Sequence, residues 1–89
     1  MVHYNIKVTG LVQGVAFRKH TVNKARELHL FGFVKNMLNG SVYIEAEGTQ
    51  DNINQLVDWC HYGPSYAKVD RVETEEGPLK NFDNFQVRY

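Results

Sequence analysis

Phe31-Gly-Phe-Val-Lys-Asn-Met-Leu-Asn-Gly-Ser-Val-Tyr-Ile-Glu-Ala-Glu47 is the stretch on which the fold turns. Two short strand-like runs, Phe31 to Asn36 and Ser41 to Glu47, flank the pair Asn39-Gly40. In the second run Val42, Ile44 and Ala46 alternate with polar partners, the period of a strand with one buried face. Asn and Gly both tolerate the positive φ of a tight turn, so the two runs predict a hairpin.

Working outward, each side of the hairpin carries helical periodicity. Arg18 to His29 predicts a helix, with Val22, Ala25 and Leu28 or His29 on one face. Before it, Val2, Tyr4, Ile6 and Val8 alternate with His3, Asn5, Lys7 and Thr9, a strand pattern that ends in Gly10-Leu-Val-Gln-Gly14, a loop bracketed by glycines. On the other side Thr49 is the expected N-cap of a second helix, with Asp51 supporting its first turn. Ile53, Leu56, Val57 and Cys60 form its apolar stripe, and Gly63-Pro64 stops it. Ala67 to Glu75 predicts a more polar strand around Val69 and Val72; Gly77-Pro78 breaks the chain, and Phe82 to Tyr89 closes it as a short strand. The order β-α-β-β-α-β plus a terminal strand predicts an α+β, ferredoxin-like split βαβ sandwich, with two helices on one face of an antiparallel sheet. One domain over residues 1–89 is expected. That fold serves RNA binders, regulatory modules, metallochaperones and enzymes alike, so function must come from particular residues.

Composition narrows the field. Ten basic residues balance ten acidic ones, so no global field draws in nucleic acid or an anionic membrane. Any anion must be caught by a local site. A single cysteine, Cys60, excludes an internal disulfide framework and a multi-cysteine metal site, and fits a reducing compartment. The N-terminal segment is too polar and too strictly alternating for a signal peptide, and no apolar run approaches the roughly 20 residues of a membrane span. A cytoplasmic monomer without nucleic-acid or membrane partners is the expectation.

The segment Gly10-Leu-Val-Gln-Gly-Val-Ala-Phe-Arg18 lies where a strand hands over to a helix. Backbone N–H groups in such a loop can converge on a concavity, and the helix start adds unpaired donors and partial positive charge. Arg18 adds a planar guanidinium whose fork matches two phosphate oxygens. Against this, a glycine-rich strand-to-helix turn is in most proteins only a turn, and an Arg in a first helical turn commonly faces solvent.

The order of residues decides for the anion site. Gly10-x-Val12-Gln13-Gly14-Val15-x-Phe17-Arg18 resembles the signature of the acylphosphatase family. Gly32-Phe33-Val34-Lys35-Asn36 followed by Gly40-Ser41-Val42 resembles the family's second motif. Gly63-Pro64, Ala67-x-Val69 and Phe85-x-Val87-Arg88-Tyr89 carry the likeness to the last residue.

The resemblance implies hydrolysis of acyl phosphates to carboxylate and inorganic phosphate. It implies that Gly10, Leu11, Val12, Gln13, Gly14, Val15 and Ala16 wrap the phosphate, mainly with main-chain N–H groups, while Arg18 clamps its oxygens. Asn36 would orient the attacking water, using an amide that both donates and accepts. Neither a metal, a cofactor nor a covalent intermediate is implied. Met37 and Leu38, more apolar than expected beside a phosphate site, leave the fine substrate preference open.

Other candidates read as structural. His3, His20, His29 and His61 lack paired metal-ligand spacing and are expected at the surface. Glu45 and Glu47 share one strand face, expected to be solvated, and Cys60 is expected in the core. Trp59, Tyr62 and Tyr66 cluster at the end of the second helix, with packing there as the default. Two other functions fit the fold: a non-catalytic phosphate-binding or regulatory module, and an RNA binder. The first would be expected to lose Arg18 or Asn36. The second would want a basic-aromatic run where Val42-Tyr-Ile-Glu-Ala-Glu carries one aromatic and two acids.

Overall fold

The computed structural model describes residues 1–89. Its elements are β1 (Val2–Leu11), α1 (Phe17–Glu27), β2 (Phe31–Asn36), β3 (Val42–Gly48), α2 (Gln50–Cys60), β4 (Lys68–Gly77) and β5 (Phe85–Val87). The five strands form one sheet in the order β4-β1-β3-β2-β5. Four of them pair antiparallel, as the split βαβ pattern requires. The sheet as a whole is mixed rather than antiparallel, because β5 runs parallel to β2, with Gly32 opposite Phe85 and Val34 opposite Val87.

Strand alternation gives the sheet two different faces. Ile6, Val8, Val34, Val42, Ile44 and Ala46 meet Phe17, Val22, Ala25, Ile53, Leu56 and Cys60 of the helices in one buried core. The registers place Asn36 beside Val42, at the end of this same helix-covered row. The opposite face carries His3, Tyr43, Glu45 and Glu47. Glu45 and Glu47 were expected in solvent, yet they are only 6% and 2% exposed, and His3 only 1%. The cause is tertiary: the chain around Lys80 and Phe82 folds across this face. Glu47 accepts from His3 Nδ1 at 2.7 Å, Lys80 N–H at 2.6 Å and Phe82 N–H at 3.1 Å. Glu45 accepts from Lys80 Nζ and Tyr43 Oη, both at 2.8 Å.

Several boundaries differ from the sequence expectation: β4 runs Lys68–Gly77 rather than Ala67 to Glu75, and β5 spans only Phe85–Val87 rather than Phe82 to Tyr89. Two others differ for local reasons. Strand β1 continues through Gly10 to Leu11, with a register shift against β4 between Thr9 and Gly10. Gly10 has φ 135°, and a Cβ there would collide with the Lys68 carbonyl, so only glycine lets the two backbones close up at this bulge. Helix α1 stops at Glu27 rather than His29. His29 takes φ 55°, its N–H bonds Arg26 O, and Leu30 N–H bonds Ala25 O, the paired bonds of a Schellman end. At the N-terminus of α2 the expected cap is present: Thr49 Oγ1 accepts from Asn52 N–H at 3.2 Å. No helix is long and apolar enough to cross a membrane.

Candidate active site

The link between β1 and α1 passes beside the end of β2, where its Val12, Gly14 and Ala16 line one cavity with Asn36. Two residues in it take left-handed conformations: Gly14 at φ 75° and Ala16 at φ 61°, ψ 26°. Gly14 adopts this at little cost. Ala16 does so against a steric penalty of about 1–2 kcal/mol. Left-handed residues in a turn aim successive N–H groups towards a common concavity, the backbone arrangement that binds anions.

Helix α1 then begins without a side-chain cap and without an acidic residue in its first turn. Its first internal bond is His20 N–H to Ala16 O at 3.2 Å, so the amides of Phe17, Arg18 and Lys19 precede the hydrogen-bonded ladder. They border a cavity of about 180 Å³, lined by Val12, Gly14, Ala16, Phe17, Arg18, Lys19, Asn36, Val87 and Tyr89. Two cationic side chains and no acidic side chain line it. The Arg18 guanidinium lies 5.2 Å from the centre of the Tyr89 ring and forms no ion pair with any carboxylate of the chain. Its donors are therefore not committed to an internal anion.

Asn36 completes the wall. Its Oδ1 is the only buried side-chain polar atom in the chain without a hydrogen-bond partner. Buried acceptors are nearly always paired, and leaving one alone costs about 1–3 kcal/mol. An exception on a residue that lines a cationic cavity points to an amide whose bonding a ligand or water completes.

Of the residues singled out in the sequence, the fold brings Arg18, Asn36, Val12, Gly14 and Ala16 to one cavity. Gly10 and Leu11 lie just before it, paired with β4 opposite Val69 and Lys68. Val15 packs against the core, and the Gln13 side chain reaches the β2–β3 turn. Lys19, Val87 and Tyr89 line the cavity without having been singled out as site residues. Lys19 was foreseeable as a second cation in the helix's first turn; Val87 and Tyr89 stood in the family-like closing run without a site role, and arrive through the pairing of β5 with β2.

A phosphate-sized cationic recess, an uncapped helix start and a residue with an unpartnered amide oxygen share one cavity, and comparison with known proteins agrees. The family model described as Acylphosphatase matches residues 4–87. The chain belongs to the acylphosphatase family. An acylphosphatase of Geobacter metallireducens is 51% identical over 85 residues, covering 94% of this chain and 91% of that protein. A solved acylphosphatase structure from Coxiella burnetii superposes with a TM-score of 0.95 at 40% identity, covering 98% of this chain and 92% of that one. The crystal structure of acylphosphatase from Bacillus subtilis gives a TM-score of 0.97 at 34% identity, with both chains covered completely. The protein is thus an acylphosphatase enzyme, acting on small acyl phosphates and releasing phosphate.

The remaining candidates stay outside this site. Cys60 is fully buried in the core, and burial pushes its thiol up to about 12, which removes the thiolate a nucleophile needs. Trp59 packs on Phe17 with ring centres 5.4 Å apart, bracing the helix start from behind, while Tyr62 and Tyr66 are exposed. The sheet face that an RNA binder would use is occupied by Glu45, Glu47 and the chain that covers them.

Proposed function

We propose that the acyl phosphate binds with its phosphoryl group in the cavity at the start of α1, held by Arg18 and the main-chain N–H groups of the Gly10–Ala16 segment. Asn36 Oδ1 accepts a hydrogen bond from the attacking water and fixes its approach. The water oxygen forms a bond to phosphorus in line with the scissile bond. The bond from phosphorus to the acyl oxygen breaks, and its electron pair leaves with the carboxylate. The water's proton passes to a phosphoryl oxygen, because an amide is no base.

This chemistry makes few demands. A carboxylate leaves readily without a general acid, so positioning and charge stabilisation supply most of the rate. In this reading the main-chain N–H groups and the Arg18 guanidinium, free of any internal carboxylate, supply both. The observation that carries the proposal is that Asn36, whose Oδ1 finds no partner within the chain, lines the same cavity as the unpaired Arg18.

The test is hydrolysis of benzoyl phosphate in the presence of EDTA by the wild type, Arg18→Ala and Asn36→Ala. Turnover that survives EDTA and collapses in both variants is expected. A variant that retains wild-type turnover would remove that residue from the mechanism, and loss of activity with EDTA would require a metal. The same proposal takes residues 1–89 as one domain acting as a cytoplasmic monomer. Its support is the balanced charge and a lone cysteine held as a buried thiol.

A further inference from the structure

The phosphate-binding segment and the strand end that carries Asn36 must hold a fixed separation if water is to meet phosphorus in line. No backbone hydrogen bond joins residues 12–16 to residues 36–41. One side chain makes the connection. Gln13 Nε2 donates to Met37 O at 2.8 Å and to Ser41 O at 3.0 Å.

Those two carbonyls close the β2–β3 turn. Ser41 O also accepts from Met37 N–H at 2.8 Å, and Met37 O from Gly40 N–H at 3.1 Å. Asn39 Oδ1 stiffens the same turn by accepting from Ser41 N–H at 3.0 Å and Ser41 Oγ at 2.6 Å. Gln13 therefore uses both donors of its amide to grip a rigid object. Its chain neighbours, Val12 and Gly14, line the cavity, and Met37 directly follows Asn36.

We infer that Gln13 is a positioning residue for the hydrolysis: its side-chain amide sets the distance between the phosphate segment and Asn36. The inference rests on the role proposed above for Asn36. A misplacement of about 1 Å between reacting groups can lower a rate on the order of 10²-fold, so this tether should act on kcat and not on phosphate affinity.

The experiment is a double-mutant cycle on benzoyl phosphate hydrolysis, with Gln13→Met, Asn36→Ala and the double variant. Each protein's thermal midpoint and inhibition constant for inorganic phosphate are measured alongside. Gln13→Met keeps length and removes both donors; it should lower kcat at least about tenfold while phosphate inhibition shifts less than about threefold. In the Asn36→Ala background the same change should cost less than about threefold, because there is no longer an oriented water to misplace.

Gln13→Glu gives a second route if Gln13→Met fails to fold. Its carboxylate cannot donate to either carbonyl, but its protonated form can donate to one. Its kcat relative to wild type should therefore rise as pH falls through the carboxyl range, about 4–5. Equal losses in both backgrounds, wild-type kcat in Gln13→Met, or a Gln13→Glu ratio that ignores pH would each overturn the inference. Collapse in Asn36→Ala alone would leave the role of Asn36 standing and remove only the tether. Full activity in Asn36→Ala would overturn both.

Discussion

Two helices of eleven residues begin in opposite ways. Helix α2 starts from Thr49 in an extended conformation, its hydroxyl accepts a first-turn amide, and Asp51 sits in the partial positive charge of the helix end. Helix α1 starts from Ala16 in a left-handed conformation, with no cap and no acid, and Arg18 and Lys19 add two further positive charges. The same four unpaired donors exist at both ends. At α2 the Thr49 side chain satisfies one of them internally, which stabilises the fold. At α1 the chain leaves them open, accepting strain at Ala16 and a lost cap worth about 1 kcal/mol. On the proposed function, stability and anion binding are alternative uses of one piece of backbone physics, with one helix start given to each.

The contrast can be broken at either end. The largest effect belongs to the open one. Arg18→Ala and Asn36→Ala should each lower kcat/KM for benzoyl phosphate on the order of 10²–10³-fold, with thermal midpoints moving by no more than a few degrees. The reverse profile is expected at Glu47, where every polar contact is already made. Glu47→Gln confronts the Lys80 and Phe82 amides with a poorer acceptor, and should cost about 2–3 kcal/mol in urea unfolding while kcat of the folded enzyme stays within about threefold.

The same carboxylates give the pH dependence of stability a sign. Burial alone would raise Glu47 and Glu45. The hydrogen bonds from Lys80, His3 and Phe82 to Glu47, and from Lys80 and Tyr43 to Glu45, outweigh it and hold both below the usual carboxylate range. The unfolded chain therefore takes up these protons first. Their contribution is complete above the ordinary glutamate range and is lost as pH falls through it towards the folded values, which acid titration of the unfolding free energy would follow.

A smaller change exchanges the character of the two helix starts. Lys19→Glu gives α1 the first-turn acid that α2 has; it should leave stability equal or slightly raised and weaken inhibition by inorganic phosphate about tenfold. The smallest change is Thr49→Ala, which opens α2. It should cost about 1 kcal/mol of stability and leave turnover unaltered, since a missing cap becomes a site only where a cation and an unpartnered amide stand beside it.

What was legible in the sequence follows from how local each signal is. The hairpin around Asn39-Gly40, the stripe from Ile53 to Cys60 and the Thr49 cap depend on neighbours within one or two turns, and all three are present. Arg18 and Asn36 were singled out by the order of residues around them, and the fold brings both to one cavity although 18 positions separate them. The strand that runs on through Gly10 was not, because the glycine is required by the approach of β4, a contact to Lys68. The burial of His3, Glu45 and Glu47 was hidden for the same reason. An alternating polar row looks solvated until a segment more than thirty residues away covers it, as Lys80 and Phe82 do here. The three residues of β5 are too few to show a period, so neither its parallel pairing nor the arrival of Val87 and Tyr89 at the site could be read in advance.

The division of labour between the clamp and the water holder is the point to test most directly. Inhibition by inorganic phosphate, measured for Arg18→Ala and Asn36→Ala beside their kcat values, separates the two. Phosphate should bind at least about tenfold more weakly to Arg18→Ala, and within about threefold of wild type to Asn36→Ala even as its kcat collapses. Equal loss of phosphate affinity in both variants, or an Asn36→Ala enzyme that turns over normally, would contradict it.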